Sequence, residues 1–314
     1  MAKWLITCTC LFFAQTIFGQ GCSDAGFCTM GAMKPDQPYN KFVPIKLRSM
    51  EVSFYRGTTT LTPIIYVANL DASFSIIDNK TSFQIKLPYQ AVTGRLAHTS
   101  GIGDISLCIT RNIYTSDRYD VNFSLGGKIR SNKSDKTSAE GYPLPMYYQT
   151  SLGTYDFITG ISLISKKWLF ATGIQHPFNK NNNQFLWGRW IGSNEDPAYI
   201  EKYSKANQLK RGTDVMLRVE RNFRFSRLNF SLGLLPIYRI TNDEILDPTI
   251  DPDHATKPKG AKGLALSAIA TTGYNFNVKT GIKLLVGHKL VQRDNNPDGL
   301  SRELVTTASY FYRF

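Results

Sequence analysis

Residues 118–130 read RYDVNFSLGGKIR and alternate between apolar and polar side chains throughout. The odd-numbered positions, from Tyr119 to Ile129, are apolar or glycine, whereas the even-numbered positions are polar or glycine. A period of two residues is typical of a β-strand with one apolar face. Strands of soluble sheets usually run about 5–6 residues, whereas a tilted strand needs about 9–11 residues to cross a bilayer. The length of this stretch therefore favours a strand that spans a membrane.

The same alternation recurs along most of the chain after residue 45. We predict twelve strands, at about residues 45–56, 59–77, 80–90, 102–115, 118–131, 146–165, 167–178, 211–224, 226–241, 262–276, 277–291 and 299–314. No segment after residue 21 has the run of about 18 apolar residues that a membrane-spanning helix requires. The pattern predicts an all-β protein, a transmembrane antiparallel β-barrel of about twelve strands.

The links between the predicted strands alternate in length. Tight links at Asp78-Asn79, Ser116-Asp117, Lys166, Phe225 and the 276/277 junction alternate with long polar links at about 91–101, 132–145, 179–210, 242–261 and 292–298. A soluble sandwich with Greek-key crossings gives no reason for this regularity. Barrels of the bacterial outer membrane have short periplasmic turns and longer extracellular loops. We therefore expect the long loops outside the cell and, because the strand number is even, both termini in the periplasm.

The N-terminal residues lack strand character. Residues 1–21 have the basic start, short apolar run and small residues of a secretory signal peptide. Residues 22–44 form a separate segment, with a plug in the barrel lumen and a periplasmic tail as alternatives, and residues 45–314 form the barrel. Cys22 and Cys28 are a candidate disulfide, with two free thiols as the alternative, and Cys108 is expected to be a small packing residue on a strand.

The last predicted strand supplies an independent argument. Its apolar and aromatic face ends in Tyr310, Tyr312 and Phe314. A terminal phenylalanine with aromatic residues two and four positions before it is similar to the C-terminal signal of bacterial outer-membrane barrels. That likeness implies recognition by the barrel-assembly machinery, and the rings also suit the interfacial girdle of a barrel.

The polar faces of the strands should line the lumen. Candidate basic residues are Arg118, Lys128, Arg130, Arg218, Arg239, Lys279, Lys283, Lys289 and Arg313, and candidate acidic residues are Asp120, Asp156, Asp214 and Glu220. The excess of bases favours anions in an aqueous path. Pairing of these charges in a filled lumen is the alternative, since small barrels fill with side chains. The formal net charge of +13 also suits contact with outer-membrane lipid and the phosphates of lipopolysaccharide.

Four further segments carry a family resemblance. Leu87-Pro88-Tyr89, the stretch 100–107 with Gly101, Gly103 and Asp104, the stretch 151–154 and the stretch 235–239 occur in this order. Together they resemble the transporters of the meta-pathway of phenol degradation, distant relatives of the fatty-acid transport porins. The resemblance covers about residues 45–245 and implies passage of small, often hydrophobic or aromatic molecules across the outer membrane. In relatives of the fatty-acid porins an N-terminal segment plugs the lumen, which suggests that role for residues 22–44.

The loop at about 179–210 contains Phe185, Trp187 and Trp190, followed by acidic residues and Pro197 that suit a helix N-terminus. These rings are either a capture site for substrate or aromatic residues seated at the membrane interface.

Three classes of function follow from the predicted barrel. The first is a channel or transporter for small hydrophobic or anionic molecules. The second is a closed structural or partner-binding barrel in an outer-membrane complex. The third, a barrel hydrolase, is not expected, because the four histidines match no motif for a catalytic base. No cofactor, metal ion or nucleic acid is expected as a partner, since no ligand cluster and no nucleic-acid-binding motif is evident.

Overall fold

The computed structural model describes residues 45–314, which form a closed antiparallel barrel of twelve strands with one short additional strand. The strands are β1 Ile45–Thr58, β2 Ile64–Ile76, β3 Asp78–Thr93, β4 His98–Ile102, β5 Ile105–Thr115, β6 Tyr119–Ile129, β7 Asp156–Ser165, β8 Trp168–Pro177, β9 Asp214–Arg224, β10 Leu228–Arg239, β11 Gly263–Asn275, β12 Thr280–Val291 and β13 Leu304–Arg313. Strand β13 pairs with β1, with Tyr310 opposite Val52, and this pairing closes the barrel. The predicted fold class is confirmed.

The short strand β4 results from an interruption in one wall strand. Strand β4 pairs with Tyr89–Thr93 of β3, and β5 pairs with Thr81–Lys86 of the same strand. Gly103 and Asp104 separate the two pieces and leave the ladder. The interruption lies within the segment that carries the family resemblance.

Three predicted strands begin at least five residues later than expected, and the one predicted at 299–314 begins only at Leu304. The prediction of one strand at 59–77 is wrong at its start, because Thr59 Oγ1 donates a hydrogen bond to the Pro63 carbonyl (2.9 Å) and closes a turn before β2. The prediction of a strand at 146–165 is wrong for its first ten residues, since a 3-10 turn occupies Met146–Tyr148 and β7 begins only at Asp156. Pro143 and Pro145 precede that turn and lack the N–H groups that a strand ladder uses.

The alternation seen in residues 118–130 separates the two faces of the wall. On β6, Phe123 and Leu125 are 42% and 43% exposed on the outer face, whereas Ser124 between them is 2% exposed. Ten residues of β8 rise roughly 34 Å at about 3.4 Å each. With strands tilted by about 40°, this is roughly 26 Å along the barrel axis, which matches an apolar band of about 25 Å. The outer surface is therefore suited to lipid.

The two ends of the barrel differ in their connections. Tight turns join β2 to β3, β5 to β6, β7 to β8, β9 to β10 and β11 to β12 at one end, which we call the turn end. Residues 130–155, 178–213, 240–262 and 292–303 are the long connections at the opposite end, which we call the loop end. The predicted alternation of short and long links is confirmed for four of the five long links. The long link predicted at 91–101 is wrong, because β3 extends to Thr93 and only residues 94–97 separate it from β4.

The short helix α1, Pro197–Ile200, lies in the longest loop, and the Asp196 carboxylate caps it by accepting from the Ala198 N–H (3.0 Å). No helix within residues 45–314 is both long enough and apolar enough to cross a bilayer. The predicted signal peptide (1–21), the N-terminal segment (22–44) and the candidate Cys22–Cys28 disulfide lie outside the described residues.

Candidate functional site

The lumen is the candidate site, and at its loop end seven buried charged side chains form a network that we call the ion cluster. It consists of Arg211, Arg239, Arg293, Asp156, Asp214, Asp243 and Asp298. These residues come from the starts of β7 and β9, the end of β10 and three of the long loops. The ion cluster therefore ties strand ends and loops together across the lumen.

Arg239 lies at the centre of the ion cluster and is 1% exposed. Its Nε and Nη2 donate to the two Asp214 oxygens (2.8 Å each), and its Nη1 donates to both Asp243 oxygens (2.8 and 2.7 Å). Nη2 also donates to Asp298 Oδ2 (2.7 Å). All five N–H groups of the guanidinium are thus used, as a buried arginine requires.

Of the remaining two arginines, Arg211 bonds within the ion cluster, and Arg293 connects it to a neighbouring loop. Arg211 Nη1 donates to Asp156 Oδ2 (2.8 Å), and Arg293 Nη1 donates to the Ala261 carbonyl (2.9 Å) in the neighbouring loop. Burial raises the pKa of Asp298, but Arg239, Arg293 and Arg211 outweigh burial and hold that pKa well below its usual range. Asp298 therefore remains ionised beside these three arginines.

Aromatic side chains from the long loops pack beside the ion cluster in what we call the loop core. Its members are Tyr147, Tyr148, Phe185, Trp190, Tyr199 and Tyr203, all buried. The Tyr203 hydroxyl lies 2.9 Å from that of Tyr199 and 3.3 Å from that of Tyr148. Burial raises the pKa of Tyr147 to about 12, so this phenol stays neutral. The loop core thus fills the loop end with uncharged rings.

The predicted roles of the aromatic residues in the 178–213 loop are corrected by this packing. Phe185 is fully buried in the loop core, and Trp190 Nε1 donates to the Pro143 carbonyl (2.8 Å). Trp187 Nε1 donates to the Tyr203 carbonyl (2.8 Å). Trp190 thus joins the 178–213 loop to the 130–155 loop, whereas the Trp187 contact lies within its own loop and Trp187 is 36% exposed.

Asp104, the acidic residue of the family-like motif, anchors a loop segment inside the lumen. Its carboxylate accepts from the Leu152 N–H (2.9 Å) and from the Ser151 hydroxyl, and Lys128 Nζ lies 3.9 Å away. A side chain at Gly103 would lie 3.2 Å from the Thr150 carbonyl oxygen. Gly103 and Asp104 therefore let residues 150–152 approach the interrupted wall closely.

Below these loop segments lies an inner cavity with an empty volume of about 1950 Å³, which includes the open solvent at its mouth. It reaches from Met146, Leu152 and Arg302 at the loop end to Arg224 and Asn275 near the turn end. Its lining combines amides and hydroxyls with paired charges such as Arg218 and Glu220. Apolar side chains such as Leu285, Val305 and Phe311 also line it, so the cavity offers both polar and apolar surface.

A row of directly opposed inward residues connects the inner cavity to the ion cluster. Six residues on six neighbouring wall strands form this charged row, in the order Glu51, Asp71, Lys86, Ser106, Lys128 and Asp156. Directly opposed residues in a sheet have Cβ atoms about 5 Å apart. The charged row is therefore a continuous polar track along the inner wall.

The predicted lumen residues are distributed as follows. Lys128, Asp156, Asp214, Arg218, Glu220, Arg239 and Lys289 are buried on the inward face, and Asp120 and Lys283 are half-buried on it. Arg313 is also half-buried, with its guanidinium 4.6 Å from the ring centroid of inward-facing Phe311.

Three predicted positions are corrected. Arg118 and Lys279 lie in exposed turns, because the tight turns take up more residues than predicted. Arg130 lies beyond the end of β6, 5.0 Å over the outward-facing Tyr155 ring.

Sequence reasoning missed several acidic residues of the lumen. Asp243 and Asp298 lie in loops whose polar composition suggested solvent exposure, and Glu51 and Asp71 lie on the two strands with the least regular alternation. With these acids added, the lumen carries closely paired charges of both signs. The predicted excess of bases does not describe the interior.

Solved structures provide the comparison with known proteins. An outer membrane channel from Pseudomonas putida F1 matches with a TM-score of 0.60 at 10% identity, covering 90% of this chain and 100% of that chain. The NanC porin matches with a TM-score of 0.46 at 11% identity, covering 86% of this chain and 100% of that chain. The KdgM porin matches with a TM-score of 0.42 at 7% identity, covering 85% of this chain and 99% of that chain. No protein-family model and no curated protein matches. The match to the Pseudomonas putida protein shows that the two chains share a β-barrel fold.

Proposed function

We propose that this chain is a channel of the bacterial outer membrane for small polar or charged solutes, with its loop end outside the cell. The observation that carries the proposal is the inner cavity, which runs inside a complete barrel from the turn end to the loop segments. Its paired charges and amides suit polar solutes, and apolar side chains such as Leu285, Val305 and Phe311 suit solutes that also carry apolar groups.

Passage through this channel requires movement at the loop end. The ion cluster and the loop core fill the lumen there, and both are built largely from loop residues. Loops held to one another by side chains can separate without opening the wall ladder. We infer that the loop end is the gate of the channel.

Conductance of the purified chain in planar bilayers tests the proposal. The native chain should give small, infrequent current steps. The Arg293→Gln variant loosens the contacts of Arg293 with Ala261 and Asp243, which join loops 240–262 and 292–303, and should raise the open fraction several-fold. The Arg227→Gln variant removes an equal charge from the turn end and serves as the control. Silence of both the native chain and Arg293→Gln would contradict the channel.

A closed barrel that binds a partner protein is the second candidate, favoured by the burial of the loop core. It predicts silence in all variants, together with an outer-membrane protein that copurifies in stoichiometric amount.

A further inference from the structure

Charged side chains are distributed unequally between the two ends of the barrel. At the turn end, ten basic side chains face three acidic ones, Asp78, Asp117 and Asp120. The basic residues are Lys46, Arg48, Lys80, Arg118, Lys166, Lys167, Arg224, Arg227, Lys279 and Arg313, which we call the basic rim. The long loops, by contrast, carry bases and acids in nearly equal number. Much of the positive charge of the barrel is thus concentrated at the turn end.

The basic rim extends around the whole circumference. Each of the five tight turns contributes at least one of its members, and so do the start of β1 and the end of β13. A soluble partner usually contacts one sector of a surface, whereas a lipid leaflet meets a membrane barrel on all sides. Asp78 offsets Lys80 at the β2–β3 turn, and Asp117 and Asp120 flank Arg118 at the β5–β6 turn. The excess of positive charge therefore forms a continuous arc over eight of the twelve wall strands, from β7 through β13 to β1. A broad arc of one sign fits a planar layer of headgroups.

A girdle of aromatic pairs accompanies the basic rim. The pairs are Tyr114–Tyr119, Trp168–Phe170, Phe223–Phe230, Tyr274–Phe276 and Tyr312–Phe314, with ring centroids 4.8 to 6.0 Å apart. Aromatic rings mark the interface between hydrocarbon and headgroups. The basic rim thus lies at the depth of the phosphates.

The densest sector lies at the β7–β8 and β9–β10 turns. Lys166 and Lys167 are exposed. The Lys167 carbonyl accepts a hydrogen bond from the Asn222 N–H (2.7 Å), so the β7–β8 turn contacts β9. Arg221 projects outward with its guanidinium 5.0 Å over the Trp168 ring. Residues 165–168 and 221–228 include no acidic residue.

We propose that the basic rim binds the headgroups of anionic phospholipids in the leaflet that surrounds the turn end. Each basic side chain near a membrane surface strengthens the attraction for anionic lipid. Anionic headgroups also offset the repulsion between neighbouring basic side chains of the protein. Arg224 lines the inner cavity and Arg313 lies over inward-facing Phe311, so the proposal rests on the other members of the basic rim, and it holds whether or not the lumen conducts.

Quenching of Trp168 fluorescence by brominated lipid tests the proposal. The full chain and its Trp168→Phe variant are reconstituted in phosphatidylcholine vesicles that contain phosphatidylglycerol, with either lipid brominated on its acyl chains. The difference in emission between the two proteins is the Trp168 signal. Brominated phosphatidylglycerol should quench this signal about threefold more per molecule than brominated phosphatidylcholine at low salt. The preference should fall towards parity at 1 M salt, where the Debye length is about 3 Å.

Charge variants show whether the basic rim causes the preference. Lys166→Gln/Lys167→Gln should reduce it by at least half, whereas Lys257→Gln/Lys259→Gln, an exposed pair at the loop end, should leave it unchanged. Equal quenching by both lipids in the native chain at low salt would overturn the proposal. A second result would also overturn it: equal quenching by both lipids, together with a changed ratio of anion to cation permeability in Lys166→Gln/Lys167→Gln. The basic rim would then attract soluble anions to the lumen.

Discussion

The loop end and the turn end of the barrel use charged residues in opposite ways. At the loop end, Arg239 and its partners are buried and balanced by charges of the other sign. At the turn end, residues such as Lys166 and Lys167 are exposed and have one sign. The difference follows from solvation, because a buried charge needs a partner to offset the loss of water, whereas an exposed charge does not. Charge in this barrel therefore stabilises loops at one end and remains available for binding at the other.

Removing the centre of the ion cluster should have the largest effect. Arg239→Ala leaves three buried carboxylates without their main partner. We expect a loss of about 3–5 kcal/mol in the free energy of unfolding, measured by denaturant titration in lipid vesicles. The rim variant Arg227→Ala should change it by less than about 0.5 kcal/mol. Equal losses in both variants would remove the distinction between the two ends.

Loosening the Asp104 anchor should have a smaller effect on the same end. Asp104→Asn weakens the contacts to Leu152, Ser151 and Lys128. It should lower the free energy of unfolding by about 1–3 kcal/mol. The measurement is unfolding in vesicles, combined with protease cleavage of residues 130–155, which should accelerate. The same exchange at exposed Asp117 in a tight turn is the matched control. Unchanged cleavage in Asp104→Asn would show that the anchor does not hold the loop.

Acid should weaken the ion cluster over a defined pH range. The pKa of Asp298 is held well below its usual range in the folded state. Its contribution to the free energy of unfolding is therefore complete above the unfolded-state pKa of about 3.9 and declines as the pH falls below that value. Protonation of Asp298 in the unfolded chain should lower the free energy of unfolding by about 1 kcal/mol at pH 3. Asp298→Asn should lose that part of the pH dependence in denaturant titrations. A decline that begins at pH 6 would point to a different group.

The smallest effect on stability is expected at the basic rim. Lys166→Gln/Lys167→Gln removes two exposed charges and should change the free energy of unfolding by less than about 0.5 kcal/mol in vesicles of neutral lipid. Thermal or denaturant unfolding of the variant beside the native chain measures this. A large loss would mean that these lysines support the barrel itself.

Much of the wall was predictable from local pattern. Residues 118–130 show both faces of β6, and the inward positions of Arg218, Glu220 and Arg239 follow from the same period of two. The wrong predictions fall where the chain leaves the wall. The sequence predicts Arg118 and Lys279 within strands although they lie in turns, because a strand boundary carries no strong signal in the sequence. It predicts residues 146–155 as strand although they form a loop, because a loop packed inside a barrel is as apolar as a strand.

The sequence by itself determined the barrel, since alternation, strand length and link length are local properties that only a membrane-spanning closed sheet satisfies together. It also determined which charged residues the strands direct inward. The tertiary structure decided how those charges are used, because Arg211, Asp243, Arg293 and Asp298 meet only when loops distant in sequence fold into the lumen. It likewise decided that the excess of positive charge forms a continuous arc at the turn end, since closure of the barrel brings the turns and the two strand ends to one level.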